Sequence, residues 1–303
     1  MSVFLPGYLR LSRKDLVSIK DELIGSLGQC RICPRNCGVD RLKEERGYCK
    51  TGRLSPVSSA NLHFGEEPEL VGTAGSGTIF FSFCNLGCIY CQNHTLSHLG
   101  EGTIASASLL AGMMLSLQNL GAHNINFVTP SHVLPQIIEA LCAARDKGLC
   151  LPLVYNSGGY DSAEVLRRLS GIFDIYMPDV KYSDDALAEK YSQAPGYWGF
   201  CQEALLEMHR QVGDLVCDRS GIAQRGLLIR HLVLPGGLAG SGTIIDFITA
   251  RISKDTYLNI MDQYRPCHKA YAHPELMRRI TQDEYNEVIA YALEKGLQRG
   301  FKA

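Results

Sequence analysis

The sequence predicts an α/β protein, a partial (β/α)6 TIM-like barrel preceded by a small N-terminal Cys-rich module. Three observations carry this reading. From about residue 76 onward, short apolar β-rich runs alternate with helix-patterned stretches, the rhythm of βα units and a parallel sheet. The first 65 residues lack that rhythm and hold four of the 12 cysteines. A chain of 303 residues accommodates one such barrel with an appendage.

Taken in order, the module spans residues 1–65: a polar helix is expected at 13–27, then a cysteine-rich loop region reaching Cys49. The barrel is expected over 70–303. Its strands are predicted at 78–83, 124–128, 151–155, 172–177, 227–234 and 257–261, each too short and too apolar for a surface helix. Helices are predicted between and after them at 106–120, 132–147, 161–170, 184–213, 241–252 and 281–297. In such folds chemistry sits where strands end and loops begin, so the polar residues just past each run are the candidates for function.

Thirty basic and 31 acidic residues leave a formal charge of −1, so no global field draws the chain to nucleic acid or anionic lipid. Aromatic and basic residues are not interleaved as a nucleic-acid surface would have them. The start of the chain has no apolar run of signal-peptide length, and no stretch of membrane-spanning length occurs; a cytoplasmic protein without membrane contact is expected. In that compartment, seven cysteines between Cys30 and Cys91 favour metal or cluster ligation over disulfides.

The stretch SFCNLGCIYCQN places Cys84, Cys88 and Cys91 in a C-x3-C-x2-C spacing immediately after the first strand. Three thiolates on one tight loop each take one iron of a cubane and leave the fourth iron open to a ligand's amino and carboxylate groups. Gly87 lets the loop close. The competing reading is a zinc loop that borrows a fourth ligand.

Here the chain resembles the radical S-adenosylmethionine (SAM) superfamily over about residues 76–265. Within it the chain is similar to pyruvate formate-lyase activating enzymes and, over nearly its whole length, to the group named pyruvate formate-lyase activating enzyme-like proteins. The resemblance implies that Tyr90 lies near the adenine, and Asn93 also matches the activases. Met177-Pro178-Asp179-Val180-Lys181 resembles the activases' Met-x-Asp-x-Lys, which implies that Asn156, Ser157 and Asp179 contact SAM and that Lys181 reaches its carboxylate. The strand containing Arg230-His231-Leu232-Val233-Leu234-Pro235-Gly236 resembles their Ile-Arg-x-x-Val-x-Pro-Gly.

Asp179 and Lys181, two apart on a strand, point the same way. Arg230 interrupts an apolar strand and needs an anionic partner, a ligand carboxylate or Asp179; with Lys181 it is a candidate catalytic residue. Two departures from the family stand out. Thr129-Pro130-Ser131-His132 replaces the superfamily's Gly-Gly-Glu, so Thr129, Ser131 or His132 are candidates for replacement contacts, and Asn156 stands where the activases carry Asp. Gln263 and Tyr264 are expected at the barrel mouth, with His63, His94 and His98 near the cysteine regions.

Cys30, Cys33, Cys37 and Cys49 supply four thiolates in one short segment. They fit closed structural zinc or a second Fe–S cluster, with Arg31, Arg35 and Arg46 at hand to neutralise charge. Cys142, Cys150, Cys201, Cys217 and Cys267 have no ligand spacing and are expected in the core.

The resemblance implies reductive cleavage of SAM at a [4Fe–4S] cluster and hydrogen abstraction from a target, an oxygen-sensitive, anaerobic oxidoreductase chemistry. An electron donor such as flavodoxin or ferredoxin is implied too. The target is a protein if the chain is a glycyl-radical-enzyme activase; a small molecule is the alternative, and a zinc-ribbon binding protein the reading from another class.

Overall fold

The computed structural model describes residues 4–301, so residues 1–3 and 302–303, the ends of the two expected segments, lie outside the described residues. Helices α1 (Gly7–Arg10) and α2 (Arg13–Gly25) precede the cysteine-rich loops, which lead into β1 (Ser55–His63), α3 (Pro68–Val71) and β2 (Ser76–Phe81). There follow α4 (His94–Ser97), β3 (Thr103–Ala105), α5 (Ala107–Asn119), β4 (Ile125–Val128), α6 (Leu134–Asp146), β5 (Leu153–Ser157), α7 (Ala163–Arg168) and β6 (Ile175–Pro178). The chain continues through α8 (Asp185–Ser192), α9 (Tyr197–Val212), β7 (Val216–Cys217), β8 (Ala223–Leu232), α10 (Ser241–Phe247), β9 (Tyr257–Met261) and α11 (Gln282–Glu294).

The six expected strands are β2, β4, β5, β6, β8 and β9, and they run parallel in that order. Antiparallel β1 and β3 extend the β2 edge, and the barrel stays open between that edge and β9. Sequence reasoning missed β1, because SPVSSANLH is too polar to stand out as a strand. Through β1 the cysteine-rich segment shares the barrel's sheet, and α2 packs on α6.

The long helix expected at 184–213 is two helices, α8 and α9. Gln193 and Gly196 both have left-handed φ, 51° and 65°, and Pro195 between them cannot donate a helical hydrogen bond. The stretch expected at 241–252 starts as α10 and ends in a π turn, Ile248–Ile252. Among the described residues no helix is long and apolar enough to cross a membrane.

Alternation along the strands separates two apolar layers. Val154, Ile175, Met177, Leu228 and Tyr257 face the barrel interior, where Leu70 of α3 joins them, while Ile125, Phe127, Leu153, Tyr155 and Ile229 pack under the helices. Placing α3 inside the barrel carries the preceding Glu66 and Glu67 inward with it. The amino end is sewn on by Asp174, which accepts hydrogen bonds from the Gly7 and Leu153 amides at 2.8 and 3.0 Å; burial pushes its carboxyl up to about 6.

Helix α11 carries a full capping box: the Thr281 hydroxyl accepts from the Glu284 amide while the Glu284 carboxylate accepts from Thr281 N–H. Thr281→Ala is expected to lower unfolding stability by about 1 kcal/mol, read as a shifted denaturant midpoint with unchanged slope.

Candidate functional site

β2 ends at Phe81, and the chain turns through Phe83, which has left-handed φ of 65°, into the loop of Cys84, Cys88 and Cys91. All three thiols line one cavity of about 280 Å³ at the C-terminal ends of the strands. A polar group trained on each sulfur holds the loop: the Leu86 amide donates to Cys84 Sγ at 3.3 Å, the Ser192 hydroxyl donates to Cys88 Sγ at 3.0 Å, and the Ser97 hydroxyl lies 3.1 Å from Cys91 Sγ. The Tyr48 hydroxyl from the cysteine-rich segment sits where a side chain on Gly87 would begin, so a larger residue here would have to displace Tyr48 and Gln193.

The same period of two that fills the barrel with apolar groups turns Asn156, Asp179 and Arg230 inward from β5, the end of β6 and β8. Arg230 donates to Asp179 Oδ1 at 2.8 Å, to Asn156 Oδ1 at 2.8 Å and to Glu66 Oε2 at 3.1 Å; Lys181 Nζ donates to Asp179 Oδ2 at 2.7 Å. Burial raises the Asp179 carboxyl, but Arg230 and Lys181 outweigh it and hold the group below the ordinary carboxylate range. For Lys181 burial acts the other way, and Asp179 with the nearby Cys88 leaves its ammonium raised. Burial raises Glu66, an effect Arg230 opposes. The pair expected between Asp179 and Arg230 is therefore present, within a network that also contains Glu66, which no motif marked.

Tyr90, Asn93, Thr129, Ser157 and Gln263 line the cavity with these residues. Tyr90 is buried, accepts from the Tyr182 hydroxyl at 2.6 Å and packs edge-on against Tyr264. Tyr264 is a correction: expected at the mouth, it is buried beneath Tyr90 and donates to the Leu276 carbonyl. Ser157 shares Asp161 with Ser131 and Tyr155, three hydroxyls donating at 2.6 to 2.8 Å to one buried carboxylate. That hub was missed because its partners come from β5 and from the Ser131 turn, far from β5 in the sequence.

Of the three candidate replacement contacts, Thr129 alone faces the cavity. Ser131 turns to Asp161, and His132, 1% exposed, bonds the Ser82 carbonyl through Nε2 and borders the second cysteine group instead. His94 stacks on His268, His98 packs tilted against the same ring with its Nε2 3.1 Å from the Cys88 carbonyl, and His63 packs edge-on against Phe80.

Cys30, Cys33, Cys37 and Cys49 surround a second, enclosed space. Burial and the three neighbouring thiols push Cys33 up to about 12, although the Arg35 amide opposes them. The arginine at these thiols is Arg41, 1% exposed, with Nη1 3.7 Å from Cys30 Sγ and bonded to the His132 carbonyl at 2.9 Å. Arg31 is exposed and Arg46 reaches Glu44, so neither has the expected role. Arg35 instead spans the two groups: it stacks on Tyr48 and donates to the Asn85 carbonyl at 2.8 Å, beside Cys84. Of the scattered cysteines, Cys201 is buried and Cys150 is exposed, not core as expected.

Among the described residues no three His, Cys, Asp or Glu side chains close on one single-ion position. The donor chemistry fits a cubane at Cys84, Cys88 and Cys91. A buried thiol at Cys88 and partly buried ones at Cys84 and Cys91, carrying hydroxyl and amide donors with the Lys181 ammonium near, are arranged for sulfur that bears negative charge.

No family model matches the sequence. The uncharacterized protein MJ0674 of Methanocaldococcus jannaschii is 30% identical over 294 residues, covering 94% of this chain and 80% of that protein. The uncharacterized protein MJ0808 of the same organism is 24% identical over 166 residues, 48% of this chain and 41% of that one. Among solved structures, a radical SAM methyltransferase from Sphaerobacter thermophilus has a similar fold, with a TM-score of 0.50 and 12% identity over 82% of this chain and 77% of that chain.

Proposed function

This chain belongs to the family of Methanocaldococcus jannaschii protein MJ0674, and for it we propose reductive cleavage of SAM at a [4Fe–4S] cluster, followed by hydrogen abstraction from a target. One observation carries the reading: the three thiols after β2 share a cavity with Asn156, Asp179, Lys181 and Arg230 from later strand ends. When bound, the cluster supplies the electron that splits SAM into methionine and a 5′-deoxyadenosyl radical.

The chain's own part is binding and exclusion. Cys84, Cys88 and Cys91 would hold three of the cluster's irons. Lys181 presents an ammonium to the methionyl carboxylate, and Asp179 keeps it charged and aimed. Arg230, locked by Asp179, Asn156 and Glu66, closes the floor of the cavity against water. Tyr90, held by Tyr182 and Tyr264, offers an immobile aromatic edge to the adenine. For Cys30, Cys33, Cys37 and Cys49 the reading is a second metal centre, zinc or an auxiliary cluster, whose binding would draw the four sulfurs together.

The finer reading is an activase that abstracts hydrogen from a glycyl-radical enzyme, fed by flavodoxin or ferredoxin. It rests on the likeness of the β6 and β8 ends to pyruvate formate-lyase activating enzymes.

Anaerobically purified and reconstituted protein is expected to contain about four irons per chain for one cluster, or near eight for two, with matching sulfide, and to form 5′-deoxyadenosine from SAM under dithionite. Zinc without iron, or an iron-loaded protein that leaves SAM intact, would end the proposal. Deuterium from a labelled glycyl-radical partner should enter 5′-deoxyadenosine; no transfer from any such partner removes the activase reading alone.

A further inference from the structure

A second cavity, of about 500 Å³, opens beside the first between the end of β9 and the α3 segment; Met261 and Gln263 border both. The titratable carboxylates on its wall are Glu67, Glu69 and Asp262, and among the described residues no Lys, Arg or His lines it. They are graded in depth. Asp262 is exposed at the rim, Glu69 is half-buried, and Glu67 is 6% exposed at the back.

The neighbouring donors satisfy these acids only in part. Tyr257 donates its hydroxyl to Glu69 Oε2 at 2.7 Å, and Asn259 donates to Glu67 Oε1 at 2.9 Å. Glu67 Oε2 is buried without a hydrogen-bond partner. A buried carboxylate oxygen left unpaired is costly, and among the donors that relieve the cost an N–H carrying positive charge does so most strongly. Arg230, whose charge acts on Glu67, directs three of its five N–H donors to Asp179, Asn156 and Glu66 and donates none to Glu67. Glu67, Glu69, Asp179 and Asp262 line the two cavities against Lys181 and Arg230, and Arg230 is paired with Glu66 as well, an excess of negative charge that a cationic guest would reduce.

We propose that this opening is the substrate entrance, and that the substrate presents a primary ammonium or guanidinium group to Glu67, which holds the adjoining carbon skeleton toward the SAM cavity. The proposal rests on the SAM-cleavage reading for what happens next, but cation recognition stands or falls separately. The charged group comes from a lysine or arginine side chain of a peptide or from a free alkyl amine or guanidine.

The test measures binding to cluster-loaded full-length protein in the presence of SAM, by ligand-observed NMR. The probes are acetyl-Gly-Gly-Xaa-Gly-Gly-amide with Xaa Lys, Arg, norleucine or Glu, together with n-butylamine, n-butylguanidine and n-butanol. Lys302 carries the same charge and lies outside the described residues, so the series is repeated in Lys302→Ala protein. At least one cationic probe is expected to bind about tenfold more tightly than its neutral counterpart in one or both proteins, and Glu67→Gln to remove that preference. Preference among the peptides assigns a peptide source; preference confined to the butyl compounds assigns a free amine. Should Glu67→Gln not fold, Asp262→Asn at the exposed rim is expected to cut the preference about threefold.

Equal binding of cationic and neutral probes in both proteins, or a preference unchanged in the variants, would overturn the proposal. SAM cleavage without substrate is assayed on the same preparations. Cleavage without cation preference removes this inference and leaves the proposed chemistry; cation preference without cleavage does the reverse.

Discussion

Cys88→Ala is expected to lose iron–sulfur absorbance at the catalytic site and all formation of 5′-deoxyadenosine, while Cys33→Ala keeps both. Cys88 is buried, with the Ser192 hydroxyl on its sulfur and the Lys181 charge nearby. Removing it leaves Cys84 and Cys91 as a two-legged support for the proposed cubane, which would already lack a fourth protein ligand, so the cluster would not assemble. Cys33 belongs to the other thiol group, whose loss acts on folding. With one of four legs gone, the metal proposed there would no longer add to the stability of the segment, a loss on the order of 3 kcal/mol. Absorbance, iron content and a melting curve on the two variants measure this. Loss of the catalytic absorbance in Cys33→Ala would show that the two thiol groups are one functional unit, the coupling running through Arg35 and Asn85.

The second large effect is expected at Asp179. Asp179→Ala leaves the Lys181 ammonium and the Arg230 guanidinium facing each other without their shared acceptor, with Glu66 the remaining carboxylate on Arg230. Breaking a buried pair from one side costs about 3 to 5 kcal/mol; the lower figure applies here, because these side chains are 16 to 19% exposed to the cavity. Lys181→Met is the informative contrast. It keeps the Asp179 to Arg230 contact but leaves Asp179 Oδ2 without the Lys181 donor, so stability falls by about 1 to 2 kcal/mol, less than in Asp179→Ala, while affinity for SAM falls. The folded-state carboxyl of Asp179 is lowered, so its contribution is present above the ordinary carboxylate range and is lost as pH falls through the folded value. Asp179→Asn should therefore flatten the acid limb of the stability curve. An unchanged acid limb would mean that the carboxylate is not the group holding the two cations.

The two thiol groups and the strand ends were legible for different reasons. A ligand set such as Cys84, Cys88 and Cys91 is local, its spacing written within eight residues, and a parallel strand buried on both faces announces itself as an apolar run. Arg230 and Asp179 were legible because a charge inside such a run demands a partner. Glu66, Asp161 and Arg41 carried no such signal. Glu66 follows a strand too polar to recognise and enters the barrel only because α3 folds inward. Asp161 gains its meaning from hydroxyls on β5 and the Ser131 turn, and Arg41, not the arginines flanking the cysteines, is the one buried against Cys30. Tyr264 misled because a residue just past a strand is expected at the mouth, whereas the chain turns it under Tyr90.

What the sequence by itself determined is the set of local patterns: six parallel strands, a cysteine triplet placed after the first of them, a second group of four thiols, and the acid and base pair at Asp179 and Lys181. These depend on spacings of a few residues, which the chain fixes before it folds. Only the tertiary structure decided that β1 ties the cysteine-rich segment into the sheet and that Arg35 and Arg41 bridge it to the barrel. It also decided that Glu66 and Glu67 reach the interior from outside every motif. These are contacts between residues far apart in the chain, and their energy comes from desolvation and charge pairing that exist only once the barrel has brought the partners together.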